Sequence, residues 1–212
     1  MSVDTTVAVA KGRIMDVFQD LWNQAGFPWP IHGKSRQLWF PPNQDRPGLI
    51  VARARDVSIL VARGIADFGV VGMDVLEEYP DPGVMRVMNL KRAECRLVLA
   101  GQSAKWPEGP LRVATKYPHI TRQFFQKRGH PVETVGLSGS VELAPVIGLA
   151  PYIVDVVDTG QTLQQHGLTV VETILWSTAQ LVANPGSWRI RESTREFHQK
   201  LGTIIDKKAG AT

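Results

Sequence analysis

One cysteine, Cys95, stands in 212 residues. No intrachain disulfide framework is possible and no cysteine cluster is present for zinc, which fits a reducing compartment. No apolar run reaches the roughly 18 residues that a spanning helix needs. The opening Met1-Ser2-Val3-Asp4-Thr5-Thr6 lacks the basic, apolar and small-residue regions of a secretion signal. The expected location is the cytoplasm, with no membrane partner. Charge of one sign is also scarce: Lys+Arg 24 against Asp+Glu 20 leaves +4 and a pI near 9.4. Without a block of like charge or a basic stripe interleaved with aromatics, that excess does not point to nucleic acid, although it suits an anionic small molecule. Gly-x-Gly-x-x-Gly and His-Glu-x-x-His are missing, and His32, His119, His130, His166 and His198 are scattered. Gly33-Lys34-Ser35 is no nucleotide P-loop, because Pro28 stands where that motif needs its first glycine and no strand precedes it.

What the chain does have is 43% hydrophobic and 21% charged residues, the composition of a globular protein. Its length permits one large domain or two of roughly 100 residues each. Short apolar runs alternate with helical patterns, the signature of an α/β protein with largely parallel sheets. Val7-Ala8-Val9-Ala10 reads as a buried strand. Ile14, Val17, Phe18, Leu21, Trp22 and Ala25 then recur at helical spacing, so residues 13–25 should form an amphipathic helix stopped by Gly26 and Pro28. The same reading places strands at 49–52, 68–71, 84–90, 96–100, 111–114, 132–135, 153–157, 169–175 and 179–183. It places helices at 56–63, 74–78, 119–128, from 141, from 161 and over 191–205. The turn-rich segment from Pro41 to Gly48 reads as a mobile loop, and the one from Gln102 to Pro110 as a subdomain boundary.

The most informative segment is Ile153-Val154-Asp155-Val156-Val157-Asp158-Thr159-Gly160-Gln161-Thr162-Leu163. A buried strand ends in an acid, and Thr-Gly-x-Thr then turns the chain into a helix. Backbone N–H groups and hydroxyls thus converge where an anion is favoured. Gly160 lets backbone approach a phosphate that a Cβ would hold off, and Asp158 and Asp155 can accept hydrogen bonds from sugar hydroxyls. An ordinary helix cap is the plainer reading of Thr159 alone, but the whole combination favours a phosphoribosyl group. Lys11-Gly12-Arg13 follows the first strand, where two cations and a glycine can grip a pyrophosphate or stand as solvated surface charges. Ser138-Gly139-Ser140-Val141-Glu142-Leu143 reads equally as an anion contact or a capping arrangement. Arg53, Arg55 and Asp56 after one strand and Asp74 after another lie where ligands of open α/β sheets gather, yet each also reads as a cap or a surface ion pair. Cys95 reads as a small buried hydrophobe.

Taken in order, these segments resemble the catalytic chain of the ATP phosphoribosyltransferase family, which opens histidine biosynthesis. The resemblance runs through Lys11-Gly12-Arg13, Ser35-Arg36, Arg53-Ala54-x-Asp56-Val57 and Gly64-x-Ala66-Asp67-x-Gly69-x-x-Gly72-x-Asp74-Val75-Leu76. It continues through Cys95-Arg96-Leu97, Ala114-Thr115-Lys116-Tyr117 and Ser138 to Pro145, and ends in the run from Glu142 to Leu163. Met73, where relatives often carry lysine, and Ser58, in place of a frequent proline, depart from it.

The resemblance implies two α/β lobes with mixed, largely parallel sheets, like a type II periplasmic-binding-protein fold. Residues 1–92 with 178–212 would form lobe I, and 93–177 would form lobe II with the phosphoribosyl loop. The length matches the family's short form, which works with a regulatory subunit similar to histidyl-tRNA synthetase, commonly as a hetero-octamer built on homodimers of catalytic chains. The implied reaction joins 5-phosphoribosyl 1-diphosphate (PRPP) to N1 of the ATP adenine and releases pyrophosphate, with Mg²⁺ carried by PRPP and no metal ligand from the protein. Arg13 and Arg36 would serve the leaving pyrophosphate. Lys11, Gly12, Asp155, Asp158, Thr159, Gly160, Gln161 and Thr162 would hold PRPP, and Arg53, Asp74 and Glu142 the nucleotide. Two other classes compete: a solute-binding module of the same architecture, and a salvage phosphoribosyltransferase acting on free bases.

Overall fold

The computed structural model describes residues 4–33, 36–106, 109–158 and 160–209. In chain order its elements are β1 (Thr6–Ala10), α1 (Arg13–Gln24), β2 (Trp39–Phe40), β3 (Gly48–Ala52), α2 (Ala54–Ala62), β4 (Phe68–Gly72), α3 (Met73–Glu78) and β5 (Met85–Asn89). There follow β6 (Cys95–Gly101), β7 (Leu111–Thr115), α4 (Pro118–Gln126), β8 (Val132–Gly136), α5 (Leu143–Val146), β9 (Tyr152–Val157), α6 (Gln161–Gln165) and β10 (Thr169–Ser177). The chain closes with β11 (Ala179–Ala183), α7 (Pro185–Ile190) and α8 (Glu192–Ala209). These elements fall into two compact units, one made of the chain up to Ala93 and from Thr178 onward, the other of Glu94–Ser177. None of the described helices is long and apolar enough to cross a membrane.

The sheet of the first unit runs β2-β3-β1-β4-β11-β5. Its central β1 lies parallel to β3 and β4, with Val7 opposite Leu49 and Phe68. A central strand is covered on both faces, which is why Val7, Ala8, Val9 and Ala10 are all apolar and all buried. On one face α1 turns Phe18, Leu21 and Trp22 inward, where they meet Phe27, Trp29 and the Phe197 and Leu201 of α8. Trp22 sits edge-on to Phe18 and Trp29, at 5.7 and 5.9 Å between centroids. On the other face Val57 and Val61 of α2 pack on Ala8, Ala10, Val71 and Val182. That helix lies so close that a Cβ on Gly69 would fall 2.7 Å from Val57 Cγ1, so β4 needs glycine there.

The sheet of the second unit runs β10-β6-β9-β7-β8. Phe124 and Phe125 of α4 pack with Leu97, Leu99, Val113 and Val154. A separate aliphatic layer joins Val98, Ala114, Ala144, Ile153, Val157 and Leu163.

Both sheets are mixed, but pairing is less parallel than the sequence leads one to expect. The β1–β3, β1–β4, β7–β8 and β7–β9 ladders are parallel, while β2–β3, β4–β11, β5–β11, β6–β9 and β6–β10 are antiparallel. The parallel pairs are those joined by helices within one unit, as parallel pairing requires. In contrast, β6 and β11 each enter their sheet directly after the chain passes from one unit to the other, and both run against their neighbours.

Two elements escape the periodicity. β2 is only two residues long, too short to alternate. α7 is not among the expected helices: Asn184 Oδ1 accepts from the Gly186 and Ser187 N–H groups at 3.0 Å and starts a helix with proline in its first turn. Expected helices from 141 and 161 shrink to four and five residues. The segment from Pro41 to Gly48 is a pinned turn: Asn43 Oδ1 accepts from the Asp45 and Arg46 N–H groups, and Arg46 Nη1 donates to the Pro41 and Pro47 carbonyls at 3.1 Å. The turn beginning at Gln102 lies inside the second unit and bounds nothing, because the chain passes between units at Ala93–Glu94 and Ser177–Thr178.

Candidate active site

The second unit carries a pocket of about 270 Å³ at the end of β9, lined by Glu142, Asp155, Asp158, Gly160 and Thr162 over an apolar floor that includes Ile153 and Leu163. Consecutive residues build most of it. β9 ends at Val157, the chain turns, and Gly160 at φ +83° and ψ −1° begins α6. A left-handed glycine here reverses the chain without a Cβ and leaves the first N–H groups of α6 without a side-chain cap from that position. Gln161 is exposed and lies outside the pocket lining, and Thr159 lies outside the described residues.

Burial pushes the Asp155 carboxyl above the usual carboxylate range, and the neighbouring Glu142 adds to that. Lys116 and the Val156 N–H oppose it. The Val156 N–H donates to Asp155 Oδ1 at 2.8 Å, and Lys116 Nζ lies 3.7 Å from Oδ2. Lys116 ends up there because β7 and β9 are parallel neighbours with Thr115 opposite Val154.

The first unit carries its own pocket of about 380 Å³, lined by Lys11, Met15, Ile31, Arg36, Gln37, Leu38 and Val51. Lys11 follows β1, with its N–H bonded to the Ala52 carbonyl at 2.9 Å. Gly12, at φ +82°, opens α1. Arg13 is exposed on the first turn, and its Nη2 donates to the Ala93 carbonyl at 3.2 Å. Arg53 is exposed at the start of α2, whereas Asp74 is buried in the first turn of α3. Neither Arg13, Arg53 nor Asp74 lines this pocket. Among the described residues no group of three or more His, Cys, Asp or Glu is arranged to hold a metal ion.

Comparison with known proteins matches the family model of ATP phosphoribosyltransferase over residues 53–206. An ATP phosphoribosyltransferase of Pseudomonas fluorescens strain Pf-5 is 41% identical over 203 residues, covering 95% of this chain and 93% of the relative. One of Ectopseudomonas mendocina is 40% identical over 208 residues, covering 97% and 96%. The chain belongs to the ATP phosphoribosyltransferase family. Among solved structures, the ATP phosphoribosyl transferase (HisG:HisZ) complex of Thermotoga maritima contains a chain 31% identical with a TM-score of 0.82, matched over 96% of this chain and 99% of that one. The fold also extends to the GluR0 ligand-binding core, with a TM-score of 0.62 at 9% identity, and to an extracellular binding protein of Bacillus subtilis, at 0.61 and 10%.

For this member of the ATP phosphoribosyltransferase family, the structure gathers Asp155, Asp158, Gly160 and Thr162 into one pocket and Lys11 and Arg36 into another. Glu142, grouped by resemblance with Arg53 and Asp74, lines the same pocket as Asp155. Sequence reasoning assigned no role to Lys116. The signal was there in the motif Ala114-Thr115-Lys116-Tyr117, where Lys116 directly follows an apolar strand just as Asp158 directly follows β9.

Proposed function

We propose that the chain is the catalytic subunit of an ATP phosphoribosyltransferase. It would transfer the 5-phosphoribosyl group of PRPP to N1 of the ATP adenine and release pyrophosphate in the first step of L-histidine biosynthesis. The observation that carries this reading is kinship over nearly the whole length of chains that bear that name. In the reaction the adenine N1 lone pair forms the new bond to the anomeric carbon, the bond from that carbon to the diphosphate oxygen breaks, and its electron pair leaves with the pyrophosphate. No covalent intermediate with the protein is required. Catalysis then consists of aligning two anions and stabilising the departing one.

The second unit's pocket suits the phosphoribosyl group. Gly160 and Thr162, with Thr159 and Gln161 beside them, offer N–H and hydroxyl donors to the 5-phosphate. Asp155 and Asp158 accept from the ribose hydroxyls, which need acceptors and not cations. Lys11, Arg13 and Arg36 supply positive charge for the pyrophosphate, with the Gly12 backbone beside them, and Arg53, Asp74 and Glu142 contribute to nucleotide binding. PRPP would carry Mg²⁺ as its counter-ion, which would neutralise part of the diphosphate charge, with no metal ligand supplied by the protein. Because both substrates are polyanions that do not cross membranes unaided, the reading includes a cytoplasmic location. A regulatory subunit, as in the HisG:HisZ complex of Thermotoga maritima, and a hetero-octamer built on catalytic homodimers complete it.

The test mixes the purified chain with ATP, PRPP and Mg²⁺ and follows the ultraviolet absorbance of the modified adenine, with and without a regulatory partner. Free adenine and hypoxanthine replace ATP in parallel. Product from ATP alone is expected; product only from the free bases, or none with the partner present, refutes the assignment.

A further inference from the structure

Thr115, fully buried at the last ladder pair of β7, makes two hydrogen bonds with one hydroxyl. Its Oγ1 donates to the Val154 carbonyl at 2.7 Å and accepts from the Tyr117 N–H at 2.8 Å. The hydroxyl therefore fastens the backbone on both sides of Lys116 to the strand that carries Asp155. The result sets an ammonium 3.7 Å from Asp155 Oδ2, while Oδ1 is held by the Val156 N–H. Both oxygens of a largely buried carboxylate are thus engaged, and its plane is defined.

The other charged groups around Asp155 are mostly of its own sign. Glu142 precedes α5 and Asp158 follows β9, and both line the pocket. Across the antiparallel ladder Asp155 faces Val98 of β6, and the nearest cation on that strand is Arg96, opposite Val157. Neither α5 nor α6 contains an ionisable residue. Lys116 is the cation that this geometry delivers to the carboxylate.

We infer that Lys116 is a positioning residue of the phosphoribosyl pocket, keeping Asp155 a charged and oriented hydrogen-bond acceptor for the ribose without itself gripping the phosphate. The inference rests on the proposed function, in which Asp155 accepts from the sugar hydroxyls. Its physical basis is that burial and Glu142 both disfavour the ionised form of Asp155, while the ammonium favours it. Without Lys116, Asp155 holds its proton to higher pH, and a protonated carboxyl loses part of its capacity to accept.

Isothermal calorimetry of PRPP with Mg²⁺ across the pH range, on the wild-type chain and on Lys116→Met, Lys116→Gln, Lys116→Arg and Asp155→Asn, tests this. The titration of PRPP itself is common to every arm and cancels in the comparison. The Lys116 side chain is 38% exposed, so its replacement leaves the core untouched, and circular dichroism checks the fold. In both neutral variants the acid flank of the affinity profile should move to higher pH. Affinity within the flank should fall about tenfold, the factor carried by one pH unit and by a close opposite charge, while the alkaline plateau stays near wild type. Arginine should restore the profile, and Asp155→Asn should flatten the flank whatever occupies position 116. A loss of equal size at every pH, additive with that of Asp155→Asn, assigns Lys116 to the ligand and overturns the proposal. Full affinity in Asp155→Asn at every pH overturns the ribose reading beneath it as well, an outcome recognisable from that variant alone.

Discussion

The pocket of the first unit is rimmed by the cations Lys11 and Arg36, whereas that of the second is rimmed by the carboxylates Glu142, Asp155 and Asp158. Two anionic substrates would, at first sight, call for cations in both. On the proposed function, a phosphate ester is met by neutral backbone N–H groups at a glycine turn, which leaves nearby carboxylates to hold sugar hydroxyls. The units also differ in how they are packed. Trp22, Phe18, Phe27, Trp29, Phe68 and Phe197 fill the core of the first unit, but the layer beneath the second unit's pocket is aliphatic.

The strongest way to break the contrast is to spoil the backbone cradle. Gly160→Val puts a β-branched residue at φ +83°, which such residues avoid. The new Cβ would meet nothing nearer than Val157 Cγ1 at 3.9 Å, so the damage is to the turn and not to the core. Calorimetry should then find no measurable affinity for PRPP in a folded chain; retained affinity would remove the cradle from the mechanism.

The aromatic side of the contrast is tested by Trp22→Ala. Loss of a fully buried tryptophan costs about 3–5 kcal/mol, a large share of the roughly 5–15 kcal/mol that keeps a domain folded. Denaturant titration measures it, and a loss under about 1 kcal/mol would deny the ring cluster its structural role. Arg13→Ala probes the cationic side. If the guanidinium acts on the leaving pyrophosphate, turnover drops about 10²-fold with little change in thermal midpoint, since the side chain is exposed. Unchanged turnover with chemistry rate-limiting contradicts that role.

The finest distinction comes from Asp155→Asn. One hydrogen bond to a charged acceptor is worth about tenfold or somewhat more in PRPP affinity. Stability should move the other way. Burial holds the Asp155 carboxyl above the ordinary carboxylate range, so between the ordinary and the raised value the native state binds more protons than the unfolded chain. Stability falls as pH rises through that window. At a pH above that window, replacing the charge with an amide should raise the thermal midpoint, and a lowered midpoint would show that the ion pair with Lys116 outweighs burial.

Much of this was legible along the chain. The buried strands appeared as apolar runs because they are covered on both faces, as in Val7 to Ala10 and in Ile153 and Val154. Asp155, Asp158, Gly160 and Thr162 were legible as a group because one short stretch, from the end of β9 into α6, carries them. α7 was not anticipated because six residues are too few to show an apolar period, and the bonds from Gly186 and Ser187 to Asn184 are what start it. The turn after Pro41 looked loose because nothing local reveals that Arg46 donates to the carbonyls on both sides.

By itself the sequence determined the family, the α/β alternation and the contiguous turn around Gly160, all of which depend on residues a few positions apart. Tertiary structure alone decided that Lys116 meets Asp155, that Glu142 shares the pocket of Asp155 and that β6 and β11 run against their neighbours. Those outcomes hang on the pairing register of strands distant in the chain, as with Thr115 and Val154, 39 residues apart. A register of that kind is selected by the packing of whole sheets, and no local pattern encodes it.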